Sequence, residues 1–332
     1  MARKACVLTL VWGVLFGSGV GRGLAARLMR NSQNLSAGPR AERPRAPLQR
    51  HPVIALTFDD LPASGGLSPD ETRVGILTQL AKELKANHLK GTYGFVTGSD
   101  LPGDPDSQQA LRVWVRVGMN IGNHTFSHPS LTTTTPAAFE HEIALNEPLL
   151  RTYAGKRDWH WFRYPYLEEG ETPQKRDAVR DWLRAHGYRV AEVTLTFEDD
   201  DWSDPYDRCR AKHNEAEIEW LKQSYLENAT EFIRLGREEE QIAFGHEIPS
   251  VLVLHATTMT TLMLPSLLDQ LRAQGFRFTS LARAERNPAY ALDPGVGIAD
   301  GGPLTNEFLN ARHLRYPPFQ PEPVQRLNSV CQ

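Results

Sequence analysis

Two adjacent carboxylates, Asp59 and Asp60, close the apolar run 53–58. Neighbouring residues at a strand end point to opposite sides, so one carboxylate can ligate a cation while the other faces a bound water. A turn or helix cap is the plain alternative for Asp after a strand. His124 and His128 stand four apart, a spacing that brings both imidazoles to one face of a helical turn. Asn123, Ser127 and Pro129 around them also suit a tight loop that holds the rings. With Asp60 the pair becomes a His-His-Asp set. Two imidazoles and one carboxylate suit zinc best, with cobalt, manganese or nickel as alternatives, and three protein ligands leave positions open for water and substrate.

Two further residues can complete such a site. Arg163, before Tyr164-Pro165-Tyr166, carries a permanent charge that can grip Asp59 and keep it ionised, although an ordinary ion pair explains it equally well. His255 ends the apolar run 251–254, where it can hand a proton to a leaving group or simply be a satisfied core histidine. The acidic run Glu198-Asp199-Asp200-Asp201 can orient Arg163 or His255, with Asp199 and Asp201 as the candidates. His141-Glu142 and His246-Glu247 imitate the start of a helical HExxH motif, but the fifth positions are Leu145 and Ser250, so both lack the second ligand.

The elements that must position these residues alternate. Apolar strand patterns at 53–58, 92–96, 119–122, 159–162, 188–194, 251–254 and 276–278 are separated by helical ones at 69–86, 108–117 and 260–274. Thr135-Pro136 and Thr172-Pro173 open two more helices, and Gly187 stops the second. About seven strand–helix units predict an α/β fold with a parallel sheet. The chemical residues fall at the C-terminal strand ends, where such sheets place their sites. A closed barrel is preferred over an open sheet.

The 332 residues are 40% hydrophobic with a net charge of -3, which implies a globular chain without the basic field that nucleic acid requires. Residues 1–26 read as a signal peptide: Arg3 and Lys4, an apolar run over 5–16, then small residues ending at Ala26. The run is shorter than the roughly 20 residues a membrane span needs, so export with cleavage is expected, and an uncleaved N-terminal anchor is the alternative. Residues 27–50 form a polar linker, 51–290 the catalytic domain with an insertion at about 203–245, and 291–332 a Pro/Gly-rich tail that wraps the barrel or stays loose. Cys209 and Cys331 are expected as free thiols, although an exported chain can pair them.

Taken in order, the segments 57–60, 124–128, 163–166 and 252–255 resemble the motifs of the polysaccharide deacetylase family (NodB-homology, carbohydrate esterase 4), over residues 53–281. The resemblance implies a (β/α)7-type barrel and metal-dependent removal of acetyl groups from N- or O-acetylated sugars. It implies Asp59 as base, Asp60, His124 and His128 as metal ligands, Arg163 as the residue that positions the base, and His255 as acid. It also gives the Tyr166 backbone N–H a place beside the oxyanion. Leu61-Pro62 stands where the family has Gly, and Tyr164 where it has a smaller residue or Pro. These departures are expected to line the substrate cleft. The same chemistry would serve an amidase acting on a small non-sugar amide, and a glycan-binding protein on the same scaffold is the non-catalytic alternative.

Overall fold

A computed structural model describes residues 51–67, 70–318 and 324–332. The expected signal peptide and linker lie outside the described residues. The chain runs β1 (Val53–Leu61), α1 (Arg73–Ala86), β2 (Tyr93–Val96), α2 (Pro105–Arg116), β3 (Asn120–Asn123), α3 (Pro136–Ala154), β4 (Trp161–Phe162), α4 (Pro173–Ala185) and β5 (Arg189–Val190). It continues through α5 (Ser203–Ala211), α6 (Glu215–Phe244), β6 (Ser250–His255), α7 (Thr258–Ala273), β7 (Arg277–Thr279), α8 (Leu281–Ala284), α9 (Leu304–Ala311) and α10 (Val324–Ser329).

All strand pairings are parallel, in the order β5-β4-β3-β2-β1-β6. β7 pairs with the first residues of β1, on the edge that β2 occupies further along. Past β5 the chain turns back to β6, where Leu195 bridges Leu252 and the Val253 N–H donates to Leu195 O at 3.1 Å. The sheet thus curls into a distorted barrel. The expected strand over 188–194 is ladder-paired only at Arg189–Val190, because the chain beyond it leaves β4 to reach β6.

Period-two alternation sorts the strand residues. Ile54, Leu56, Phe58, Phe162, Leu252 and Leu254 face the outer helices and join the main core with Leu77, Leu80, Trp114 and Leu264. Ala55, Tyr93, Phe95, Trp161 and Val251 face inward, together with Leu281 and Ala284 of α8. The inward parity continues through Thr57 and Asp59, through Arg163, and through His255. The alternation that buries the core therefore also delivers the chemical side chains to one end of the curl.

Thr135 and Thr172 cap α3 and α4 by accepting from Ala138 N and Lys175 N, as the sequence predicts. Such caps contribute about 1 kcal/mol each. α2 starts earlier than expected, because Asp104 caps it and Pro105 takes the first turn. The stretch at 203–245 becomes α5 and α6, and α6 buries Leu221, Tyr225, Ala229 and Ile233. The tail does not hang loose: Leu304, Phe308 and Leu309 of α9 pack with Ala243. The free-thiol expectation is corrected, since Cys209 and Cys331 form a disulfide. Arg208 brings them together by donating to Leu327 O at 2.8 Å and Val330 O at 3.3 Å, which docks the chain end on α5.

Candidate functional site

Asp60, His124 and His128 converge. His124 Nε2 lies 3.5 Å and His128 Nε2 3.2 Å from Asp60 Oδ1, and all three ligand atoms fall within 4.8 Å of one another. Burial pushes both imidazoles down to about 4, so both are neutral near pH 7 with lone pairs available. His124 donates through Nδ1 to Arg163 O at 2.8 Å, which fixes the tautomer and leaves Nε2 facing Asp60. This donor set fits a divalent cation with N and O preferences.

The histidines meet in the tight loop that Asn123, Ser127 and Pro129 suggest, and not on a helical turn. Thr125 and His128 adopt left-handed φ values of 67° and 57°, and Asp60 has φ 57°. Each such residue costs about 1–3 kcal/mol and persists only where its surroundings enforce it. The enforcement is visible. Asn146, fully buried on α3, donates to Val96 O at 2.7 Å, Thr125 O at 2.9 Å and Asn123 Oδ1 at 3.1 Å. Asn123 Oδ1 accepts from Thr125 N, and Thr125 Oγ1 accepts from His128 N at 3.0 Å. Glu142 accepts from Ser127 N and Ser127 Oγ at 2.7 and 2.8 Å. Glu142 belongs to a dismissed metalloprotease look-alike, and its actual role is to hold the histidine loop. Nothing in the sequence marks Asn146, the one polar residue among the buried positions of α3.

Asp59 sits beside this triad, 4.0 Å from His124 Nε2, and is buried. Arg163 Nη1 reaches both its oxygens at 3.2 and 3.1 Å. Arg163 in turn donates to Ala191 O at 2.7 Å and Thr57 Oγ1 at 3.1 Å, and its guanidinium lies 4.7 Å from the centre of the Phe95 ring. Every part of Arg163 is thus fixed. Burial lifts the Asp59 carboxyl above the usual range despite the opposing pull of Arg163 and His255, which makes it more basic than a surface aspartate. Thr57 was not singled out in the sequence; its inward parity two residues before Asp59 was the available signal.

His255 is the register partner of Asp59 across β1 and β6. Its Nδ1 donates to Asp199 Oδ1 at 2.8 Å, and its backbone N–H donates to Asp199 Oδ2 at 3.0 Å. Thr260 Oγ1 also donates to Asp199 Oδ2. Asp200 lies 3.5 Å from the ring. Burial alone would lower the imidazole, but the charges of Asp200 and Asp199 override it and hold His255 well above its ordinary value. Of the two acidic candidates, Asp199 supports His255.

Tyr166 is brought to the rim, 58% exposed, with its ring edge-on to His128 at 4.5 Å. It too is left-handed, with φ 59°. The departures expected to line the cleft do not do so. Leu61 is fully buried in the core, and Tyr164 is 2% exposed between Phe139 and Phe162. Tyr164 lies on the outward parity of its segment, and a register shift in β1 between Phe58 and Leu61 turns Leu61 into the core although it shares the parity of Asp59, so both serve packing.

Residues 48–191 match the profile of the family described as polysaccharide deacetylase. The chain is similar to a peptidoglycan-N-acetylglucosamine deacetylase of Bacillus cereus, 26% identical over 146 residues, which covers 44% of this chain and 46% of that protein. It is similar to the peptidoglycan-N-acetylmuramic acid deacetylase PdaA of Bacillus subtilis, 33% identical over 114 residues, covering 34% and 38%. The matched stretch spans less than half the length of both curated relatives. Among solved structures, a chitin deacetylase from the fungal pathogen Colletotrichum lindemuthianum aligns at 21% identity and a TM-score of 0.46, covering 70% of this chain and 86% of that one.

Proposed function

Because the chain belongs to the polysaccharide deacetylase family, we propose that it is a metal-dependent hydrolase that removes acetyl groups from an acetylated glycan. The observation that carries this reading is the meeting of three pieces in one place: the Asp60–His124–His128 triad, the Arg163-held Asp59 and the Asp199-held His255. The donor set favours zinc, with cobalt, manganese or nickel as alternatives. Bound there, a divalent cation supplies Lewis acidity that brings a water's pKa towards neutrality and polarises the acetyl carbonyl.

The chain's own residues do the rest. Asp59 takes the proton of the attacking water, and Arg163 and Thr57 keep its carboxylate aimed. The Tyr166 backbone N–H stands where the negative charge on the carbonyl oxygen develops. His255, kept protonated by Asp199 and Asp200, donates to the departing amine or alcohol as the C–N or C–O bond breaks. Acetate and a free amine or hydroxyl are the products. The two Bacillus relatives are named for deacetylation of peptidoglycan sugars, so acetylated amino sugars are the first substrates to try.

Export is part of the proposal. Its supports are the charged start and apolar run of the first residues and the Cys209–Cys331 disulfide, which an oxidising compartment sustains. Among the described residues no helix is long and apolar enough to cross a membrane.

The test is acetate release from a panel of N- and O-acetylated glycans, with zinc, cobalt, manganese and nickel supplied separately. Turnover should vanish on exhaustive chelation and return with metal. The double variant His124→Ala with His128→Ala should bind no metal. Undiminished turnover after chelation, or in that variant, refutes the assignment. Glycan binding without acetate release points instead to a binding protein, and turnover confined to small amides points to an amidase.

A further inference from the structure

Residues 297–304, beyond the stretch that matches the family profile, lie directly against the loop that carries Tyr166. Ile298 bridges Gly170 in antiparallel fashion, and Thr132 Oγ1 donates to Ala299 O at 2.7 Å. Gly302 N donates to Leu167 O at 3.3 Å, and Leu304 N donates to Val193 O at 2.8 Å. The segment therefore ties the chain after β3, the loop after β4 and the chain after β5 to one another.

Two glycines make the approach possible. A Cβ on Gly297 would stand 2.5 Å from Thr172 N, and one on Gly301 would stand 2.3 Å from Tyr166 O and 2.9 Å from the Leu167 carbonyl. The backbones lie closer than any side chain allows. The residues under this pressure, Tyr166 and Leu167, hold left-handed φ values of 59° and 54°, which non-glycine residues adopt only where neighbours enforce it.

We propose that the 297–304 segment is a positioning element of the reaction: its backbone clamps the Tyr166–Leu167 turn in its left-handed form, and Gly301 is the residue that permits the clamp. This deepens the deacetylase reading and rests on it, since Tyr166 matters there through its backbone N–H and through its ring beside His128. The segment acts through Tyr166, so it determines where the acetyl oxygen is received and not whether the metal binds.

The comparison is Gly301→Ala against Gly295→Ala in the full, zinc-loaded chain. Gly295 has a nearly identical left-handed φ of 67°, but a Cβ at that position would meet nothing within 4 Å, so it carries the same backbone strain without the clash. Gly301→Ala should keep its zinc stoichiometry and speed amide hydrogen exchange across residues 163–172. It should also lower kcat for acetate release by about a hundredfold relative to Gly295→Ala, the loss that a misplacement of roughly 1 Å brings. Equal exchange in the two variants overturns the proposal. Faster exchange with kcat equal to that of Gly295→Ala overturns it as well, because the clamp would then be structural only. A wild-type chain that binds zinc yet releases no acetate fails the deacetylase reading, and the exchange comparison still decides whether the clamp exists.

Discussion

Replacing Asp199 by Asn tests the acid half of the mechanism more sharply than deleting His255. Asp199 accepts from three donors: the His255 ring, the His255 backbone N–H and Thr260 Oγ1. The backbone N–H can only donate, so the single oxygen of an Asn must face it. The Asn NH2 then faces His255 Nδ1. A protonated imidazole carries N–H on both nitrogens and would oppose that donor with another, so the ring becomes neutral with its hydrogen on Nε2. Breaking one side of a buried charge pair is worth about 3–5 kcal/mol. General-acid catalysis contributes roughly 10²–10⁴-fold. Asp199→Asn should therefore lose at least about a hundredfold in kcat on an N-acetyl amino sugar. It should lose far less on p-nitrophenyl acetate, whose leaving group needs no proton. The pH profile gives a second readout. His255 has a raised folded-state pKa, so amide turnover is present below that value and falls as pH rises through it. Removing the Asp199 charge moves this alkaline limb to lower pH. Equal losses on the amide and the aryl ester, with the limb unmoved, would refute the acid role and leave Asp199 as a packing residue.

Asp59→Asn should lower kcat by about 10²–10⁴ while metal stoichiometry, measured by elemental analysis, stays at the wild-type value. Asn146→Ala removes two N–H donors shared among three acceptors, but Val96 O, Thr125 O and Asn123 Oδ1 each keep one other donor. The loss is therefore close to the net value per bond, about 1–3 kcal/mol in all by urea unfolding, with metal affinity falling as the histidine loop loosens. In the metal-free protein, His124 and His128 have folded-state pKa values near 4, below the unfolded value, so the unfolded chain binds more protons between about pH 4 and 6.5. Stability should rise with pH across that window, and His124→Gln with His128→Gln should flatten the rise; an unchanged slope would contradict the burial of neutral rings.

The sequence by itself determined the chemistry and the order of the elements. The residue types at Asp59, Asp60, His124, His128, Arg163 and His255 limit what the site can do, and period-two apolar patterns limit where strands form, because both depend on local covalent identity. Tertiary structure decided everything that depends on a partner distant in the chain. It placed the histidines in a strained loop rather than on a helix, because Asn146 and Glu142 of α3 hold that loop from outside it. It chose Asp199 from a run of acids that sequence cannot rank, because that carboxylate accepts from His255 and Thr260 at once. It buried Leu61 and Tyr164, which in sequence stand beside chemical residues: Tyr164 because successive strand residues face opposite sides of the sheet, and Leu61 because the register of β1 shifts between Phe58 and Leu61. It also folded the tail onto the Tyr166 loop and joined Cys209 to Cys331 across 122 residues, contacts that no local pattern encodes.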